Sequence, residues 1–254
     1  MSEQEARGRP QPPRGGGAAH ANSQAQSVQH RVLVAGATGY VGSRLVQRLL
    51  WRGHAVRALV RSAGRSLPPG CDVVTGNALD DSSVAAAVQG MDTLVHLVGV
   101  AHPSPTKAAL FDSVDLGSAR VAARAAAAAG IGHIVYVSVA RPAPVMNAYI
   151  EARQRAEQAF AGTAIPCTFL QPWYVVGPGH YWPLAILPLY KLFELLPATR
   201  ATAHRLGLLS IETVLRCLVH AIETPARGIR SWDVPALRRL GSELAGRRLP
   251  TQHT

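Results

Sequence analysis

Residues 31–42 read RVLVAGATGYVG, and their order decides how the rest of the chain is understood. A short β-branched run, RVLVA (31–35), gives way to Gly36, Gly39 and Gly42 and then to YVGSRLVQRLLWRG (40–53), whose apolar residues recur at helical spacing. A strand that turns at once into a helix needs residues without a Cβ, for the turn and for close approach of the backbone to a ligand. The helix N-terminus that follows presents unpaired N–H groups and a partial positive charge, which suit a pyrophosphate. Glycines also mark plain turns; their position between a predicted strand and a predicted helix is what favours a dinucleotide. Gly36, Thr38, Gly39, Tyr40, Val41 and Gly42 are the expected phosphate-loop residues.

Outward from this loop the chain alternates in type. HAVRALV (54–60) and CDVVTG (71–76) read as strands, and DDSSVAAAVQG (80–90) as a helix opened by Asp81 or Ser82. DTLVHLVG (92–99) reads as a buried strand, and KAALFDSVDLGSARVAARAAAAAG (107–130) as a long helix stopped by Gly130. HIVYVSV (133–139) is the next strand, NAYIEARQRAEQAF (147–160) an amphipathic helix and IPCTFLQP (165–172) a further strand. Such alternation means βαβ units and a parallel sheet. The expected fold is α/β: a Rossmann-type, doubly wound parallel sheet over residues 30–180 with a small, mainly helical C-terminal substrate lobe over 181–236. In that lobe Ser210 is the expected N-cap of a helix ending before Pro225, and GIRSWDVP should add a last strand. Residues 1–29, rich in Gly, Pro, Gln and Arg, read as a disordered leader, and 237–254 as a basic flexible tail.

Composition removes several function classes. The net charge of +11 invites a nucleic-acid partner, but the arginines are scattered and no basic run is interleaved with aromatics, so none is expected. Cys71, Cys167 and Cys217 lack CxxC spacing, which argues against a disulfide framework or a zinc site and fits a cytoplasmic location. His96, His102, His133, His180, His204 and His220 fall on different elements without ligand spacing, so no metal is expected. YWPLAILPLYKLFELLP (181–197) is too short, too rich in proline and too charged to span a bilayer.

An NAD-binding loop of this kind is usually followed, about twenty residues on, by a carboxylate for the ribose hydroxyls. Here that place reads VRALVRSAGRS, with Arg57, Arg61 and Ser62 and no acid, so NADP(H) is the favoured cofactor and NAD(H) the other candidate.

These residues resemble the short-chain dehydrogenase/reductase superfamily, in particular its atypical and extended, epimerase/dehydratase-like members, over about residues 31–235. The resemblance implies that Asn77 and Ala78 in GNALD lie beside the adenine, that Leu97, Val98 and Gly99 in VHLVG lie near a ribose, and that Pro172 in QPWYVVGPG lies by the nicotinamide. Gln171 stands where the family has arginine. It also implies that Ser138 polarises the substrate and that Tyr149 is the acid/base, eleven residues later at the start of a helix. Arg153 stands where the family places the lysine that holds the nicotinamide ribose and lowers the tyrosine pKa, and Asp115 where it often has a structural asparagine. Tyr149 can therefore move a proton or serve only to pack against the ligand.

Trp173, Tyr181, Trp182, Leu184, Ile186, Leu187 and Phe193 suggest a small, largely apolar carbonyl, alcohol or quinone-like substrate, or else a core or dimer contact in a protein that is a monomer or homodimer. Two functions follow: an NADP(H)-dependent oxidoreductase, or a non-catalytic dinucleotide-binding regulator or accessory factor of the same superfamily. The retained Ser138 and Tyr149 favour the first, and Arg153 favours the second.

Overall fold

The computed structural model describes residues 28–62, 67–143, 146–181 and 206–246. Strands β1 (Arg31–Ala35), β2 (Ala55–Val60), β3 (Asp72–Thr75), β4 (Thr93–His96), β5 (His133–Val137) and β6 (Cys167–Leu170) form one parallel sheet with the last strand, β9 (Ile229–Trp232). The spatial order is β3-β2-β1-β4-β5-β6-β9. The chain moves outward from β1 in one direction and then returns to its other side, so a crevice opens at the carboxyl ends of β1 and β4. In such folds that crevice takes the ligand.

Helices cover both faces, which is why the central strands are continuous apolar runs and not alternating ones. On one face lie α1 (Tyr40–Trp51) and two later helices, α5 (Ile211–Glu223) and α6 (Val234–Gly246); Val32, Val34, Leu45, Leu49, Leu218 and Leu237 meet there. On the other lie α2 (Asp81–Val88), α3 (Gly117–Ala129) and α4 (Asn147–Ala161), over Leu33, Leu94, Ala122, Ala126 and Phe160. The alanines of α3 bring its backbone close to the sheet. The helix stops at Gly130, whose φ of 69° frees its N–H for the last carbonyls.

Helix ends follow local chemistry. Asp80, one residue ahead of the expected cap, accepts the Ser83 N–H at 2.7 Å, and hydrogen bonds from Ser82 and Ser83 hold its carboxyl down to about 2. Ser210 caps α5 by accepting the Thr213 N–H at 3.1 Å, as its sequence suggested. Much of the positive charge is paired internally: Arg48 with Glu212 and Arg52 with Glu223 tie α1 to α5, while Arg31 meets Asp92 and Arg124 meets Asp81.

One expectation about the C-terminal part changes. Residues 237–246, assigned to a flexible tail, belong to α6: Leu237 is fully buried, and Gly241 packs so closely on Thr213 that a Cβ there would lie 2.5 Å from its methyl. A second small parallel sheet pairs β7 (Tyr174–Val176) with β8 (Leu208–Ser210), an arrangement with no sequence signal. Trp182, Leu184, Ile186, Leu187 and Phe193 lie outside the described residues. Among the described residues no helix is long and apolar enough to cross a membrane.

Candidate dinucleotide and active site

The glycine loop leaves β1 at its carboxyl end. Gly36 has φ +87°, and a Cβ there would sit 2.8 Å from the Leu97 carbonyl carbon, so the loop lies directly against the end of β4. At Gly42 a Cβ would be 2.2 Å from the Gly36 oxygen; this glycine lets the helix meet the turn. Gly39 has an ordinary φ of −74°, and its added Cβ would meet only the Gly36 oxygen, at 3.3 Å. No side chain caps α1 at its N-terminus. Thr38 and Val41 are half-buried in the same turn. Open amides in a Cβ-free cradle fit a pyrophosphate.

Tyr40 lies beside this cradle under a layer the sequence did not reveal. Its ring contacts His180 at 5.0 Å, and His180 stacks on His102 at 6.0 Å. The Arg44 guanidinium lies 4.3 Å from the Tyr40 ring centroid, and the Tyr40 hydroxyl is buried without a partner among the described residues. Three loops separated by scores of residues meet here, which periodicity and spacing cannot show.

Arg57 does not face the end of β2. Its Nε donates to Asp72 at 2.6 Å, and its Nη1 donates to the Ala87 and Gln89 carbonyls. Arg61 and Ser62 follow the strand and are exposed. Asn77 uses its side-chain oxygen to accept the Leu79 N–H at 3.1 Å, and Ala78 packs on the core.

The carboxyl edge beside β5 is built around a buried cation. Arg153, on α4, pairs through Nη2 with Asp115 at 2.7 Å, and the Asp115 side chain is fully buried. Its Nη1 donates to the Val137 carbonyl at 2.9 Å and to the Tyr136 hydroxyl at 3.2 Å. Asp115 also accepts the Val100 N–H at 3.0 Å. Gly99 has its reason here: a Cβ would lie 2.0 Å from Arg153 Nη2. Burial pushes the Asp115 carboxyl up and Arg153 pulls it down, with burial the larger effect.

Ser138, next to Val137 and 4% exposed, carries a hydroxyl with no partner among the described residues. Tyr149 is half-buried on the first turn of α4, its ring 5.2 Å from the Arg153 guanidinium carbon and 5.0 Å from the Phe111 ring. Burial raises its pKa, and Arg153 partly offsets the rise. Leu97 and Val98 are half-buried at the β4 end, and Pro172 is buried after β6. Gln171 turns away, donating to Glu157, which also accepts from Arg141. A cavity of about 1060 Å³ lies elsewhere, between α1, α5 and α6. Its arginines are mostly paired to glutamates, and it contains none of the groups at the sheet edge.

The strand order, the glycine cradle and the hydroxyl-bearing β5–α4 edge define a dinucleotide-binding protein of the extended or atypical short-chain dehydrogenase/reductase kind. A family described as NAD(P)H-binding matches residues 36–178, more than half of the chain, and the chain belongs to it.

The chain is 28% identical over 203 residues to the ceramide reductase of Caulobacter vibrioides, covering 78% of this chain and 62% of that protein. It is 38% identical over 116 residues to a 3 beta-hydroxysteroid dehydrogenase/Delta 5-->4-isomerase of Mycobacterium tuberculosis, covering 42% and 31% respectively. It thus spans less than two thirds of either relative. MoeE5 in complex with UDP-glucose and NAD shares the fold at TM-score 0.62 and 22% identity, over 85% of this chain and 82% of that one. A UDP-glucuronic acid 4-epimerase from Bacillus cereus in complex with NAD matches at 0.60 and 17%, over 80% and 76%. At these identities the likeness is one of fold.

Two expectations are corrected. NADP(H) is no longer favoured: Arg57 is held by Asp72 and two carbonyls, and several solved structures of this fold hold NAD. The small apolar substrate also falls. Structures of this fold carry UDP-sugars, and most of the apolar residues that suggested it lie outside the described ones.

Proposed function

We propose that this protein binds NAD(H) at the carboxyl edge of its sheet and interconverts a hydroxyl and a carbonyl on a bound substrate through Tyr149 and Ser138. The observation that carries this reading is the Ser138 hydroxyl, buried at the end of β5 with no partner among the described residues. A buried polar group without a partner is costly unless a ligand supplies one. The amides from Gly39 to Gly42 would hold the pyrophosphate, with Gly36, Thr38, Tyr40 and Val41 shaping the turn. Ser62, Asn77 and Ala78 would flank the adenosine, and Leu97, Val98 and Pro172 the nicotinamide half. When bound, the nicotinamide gives or takes a hydride.

The chain's own residues handle the oxygen. Tyr149, a phenol whose pKa burial raises, donates its proton to a carbonyl oxygen or, in reverse, takes the proton of an alcohol as phenolate. Ser138 donates a second hydrogen bond to the same oxygen. UDP-glucose and UDP-glucuronic acid are the first substrates to try, because proteins of this fold hold them with NAD.

The test is calorimetric titration with NAD, followed by turnover with those substrates in the parent and in Tyr149→Phe. Binding with turnover that the variant loses supports the reading; no NAD binding, or equal turnover in both, overturns it. A non-catalytic dinucleotide-binding role is the second reading, favoured by the capture of Arg153 by Asp115. NAD binding without turnover on any substrate would select it.

A further inference from the structure

We propose that Asp115 and Arg153 form one internally neutralised unit, in which Asp115 is a positioning residue that aims the guanidinium under Tyr149 and cancels most of its field. This inference rests on the proposed role of Tyr149. The geometry assigns three protein partners to Arg153: the Asp115 carboxylate, an ion pair at 2.7 Å, and as hydrogen-bond acceptors the Val137 carbonyl at 2.9 Å and the Tyr136 hydroxyl at 3.2 Å. Its Nε is buried and has no acceptor among the described residues. A guanidinium held in this way is a strut between α4, the end of β5 and the segment bearing Asp115. It fixes Val137, and so the neighbouring Ser138, relative to Tyr149, and protein atoms engage both of its Nη nitrogens.

The balance of charge around the phenol is local. From α4 comes Arg153; from β5, the neutral phenol of Tyr136; from β4, His96, which burial and Arg153 keep neutral down to about 3; and from the turn before α3, Asp115. Asp112 and Arg155, on the same two helical segments, pair with one another on the exposed side. Asp115 is thus the carboxylate that sets how much of the Arg153 charge Tyr149 feels. Opposite charge beside a phenol lowers its pKa, and removing the compensating anion strengthens that effect.

The experiment uses the full chain without cofactor and follows phenolate absorbance against pH, with Tyr149→Phe as the difference reference. Asp115→Asn should lower the Tyr149 pKa by about one unit, a tenfold change in the phenolate ratio. Asp115→Asn/Arg153→Met, which removes both charges, should return it to near the parent value. NAD affinity of that double variant should stay within about threefold of the parent, since each factor of ten is about 1.4 kcal/mol and no cofactor contact is removed. An unmoved Tyr149 titration in a folded Asp115→Asn protein overturns the inference. So does a tenfold loss of NAD affinity in the double variant, which would make Arg153 a cofactor ligand. If Asp115→Asn does not fold while the double variant does, the two charges act as a pair, and the double variant's affinity decides. Failure of the parent to bind NAD defeats the proposed function and leaves the titration as the test of the pair.

Discussion

The glycine loop and the Arg153 centre both sit at the carboxyl edge of the sheet, and they are specified in opposite ways. In the loop most requirements are met within seven residues, with a positive φ at Gly36 and room for the helix at Gly42, and only the approach of Leu97 to Gly36 comes from afar. At the centre each requirement is met from afar, since Arg153 answers to Gly99, Asp115, Tyr136 and Val137. A local device is dictated by backbone sterics and admits few substitutions. A long-range device depends on several distant segments at once and can change only when its partners change with it.

The first way to sharpen this contrast is Tyr149→Phe. It should lower turnover by a factor of about 10²–10⁴, the usual worth of a positioned acid/base, while NAD affinity, set by the loop, stays near the parent value. Steady-state kinetics beside calorimetry separates the two; a parallel fall in both would mean that the regions are not independent.

Acid should weaken the fold on which the centre depends. His96, near Arg153, and His133, at the amino end of β5, are buried neutral, with pKa values brought by desolvation to about 3 and about 4. Unfolded imidazole binds a proton below about 6.5, which the folded protein refuses until those lower values. The unfolded state therefore holds more protons in that window, and stability falls as pH drops from about 6.5 toward 4, by at most about 1.4 kcal/mol per pH unit for each histidine. Denaturant melts across that range, repeated with His96→Asn, check the direction and the share of one residue; a flat profile breaks the argument.

Gly42→Ala places a methyl 2.2 Å from the Gly36 oxygen. It should cost about 1–3 kcal/mol by overpacking and abolish measurable NAD binding, because helix and turn must separate. Thermal melts and calorimetry would show both, and unchanged binding would remove the loop's assignment.

The smallest effect is expected at Arg57. Arg57→Ala deletes a surface ion pair worth about 0–1 kcal/mol and should leave the NADH and NADPH affinities in the same ratio as in the parent, with NADPH not preferred. A changed ratio in paired titrations would return Arg57 to the cofactor site.

The sheet, its parallel sense and the loop were legible because strand runs, helical spacing and glycine spacing are properties of contiguous residues. Arg57 was misread because its partner is on the adjacent strand, and a linear sequence does not show which neighbour a side chain leans toward. The helix after β9 was hidden by the arginines on its outer face, although Val234, Leu237 and Gly241 already have helical spacing. The centre was legible as residue types, Ser138, Tyr149 and Arg153. Its wiring was not, because Asp115 becomes meaningful only once the fold brings it to Arg153.

One feature of the segment carrying Asp115 bears on what changes this protein tolerates. Residues Phe111–Leu116 are π-helical and run directly into α3. A π turn bonds i to i+5 and so holds one residue more than an α turn. Each residue of an α-helix advances the side chains by about 100°, so deleting a single residue here would regularise the helix and rotate one end against the other by about that angle. Phe111, which now meets Tyr149, and Asp115, which meets Arg153, could then no longer both face α4. The wide turn acts as a phase shifter, and the length of this segment is as much a part of the site as the identity of its residues.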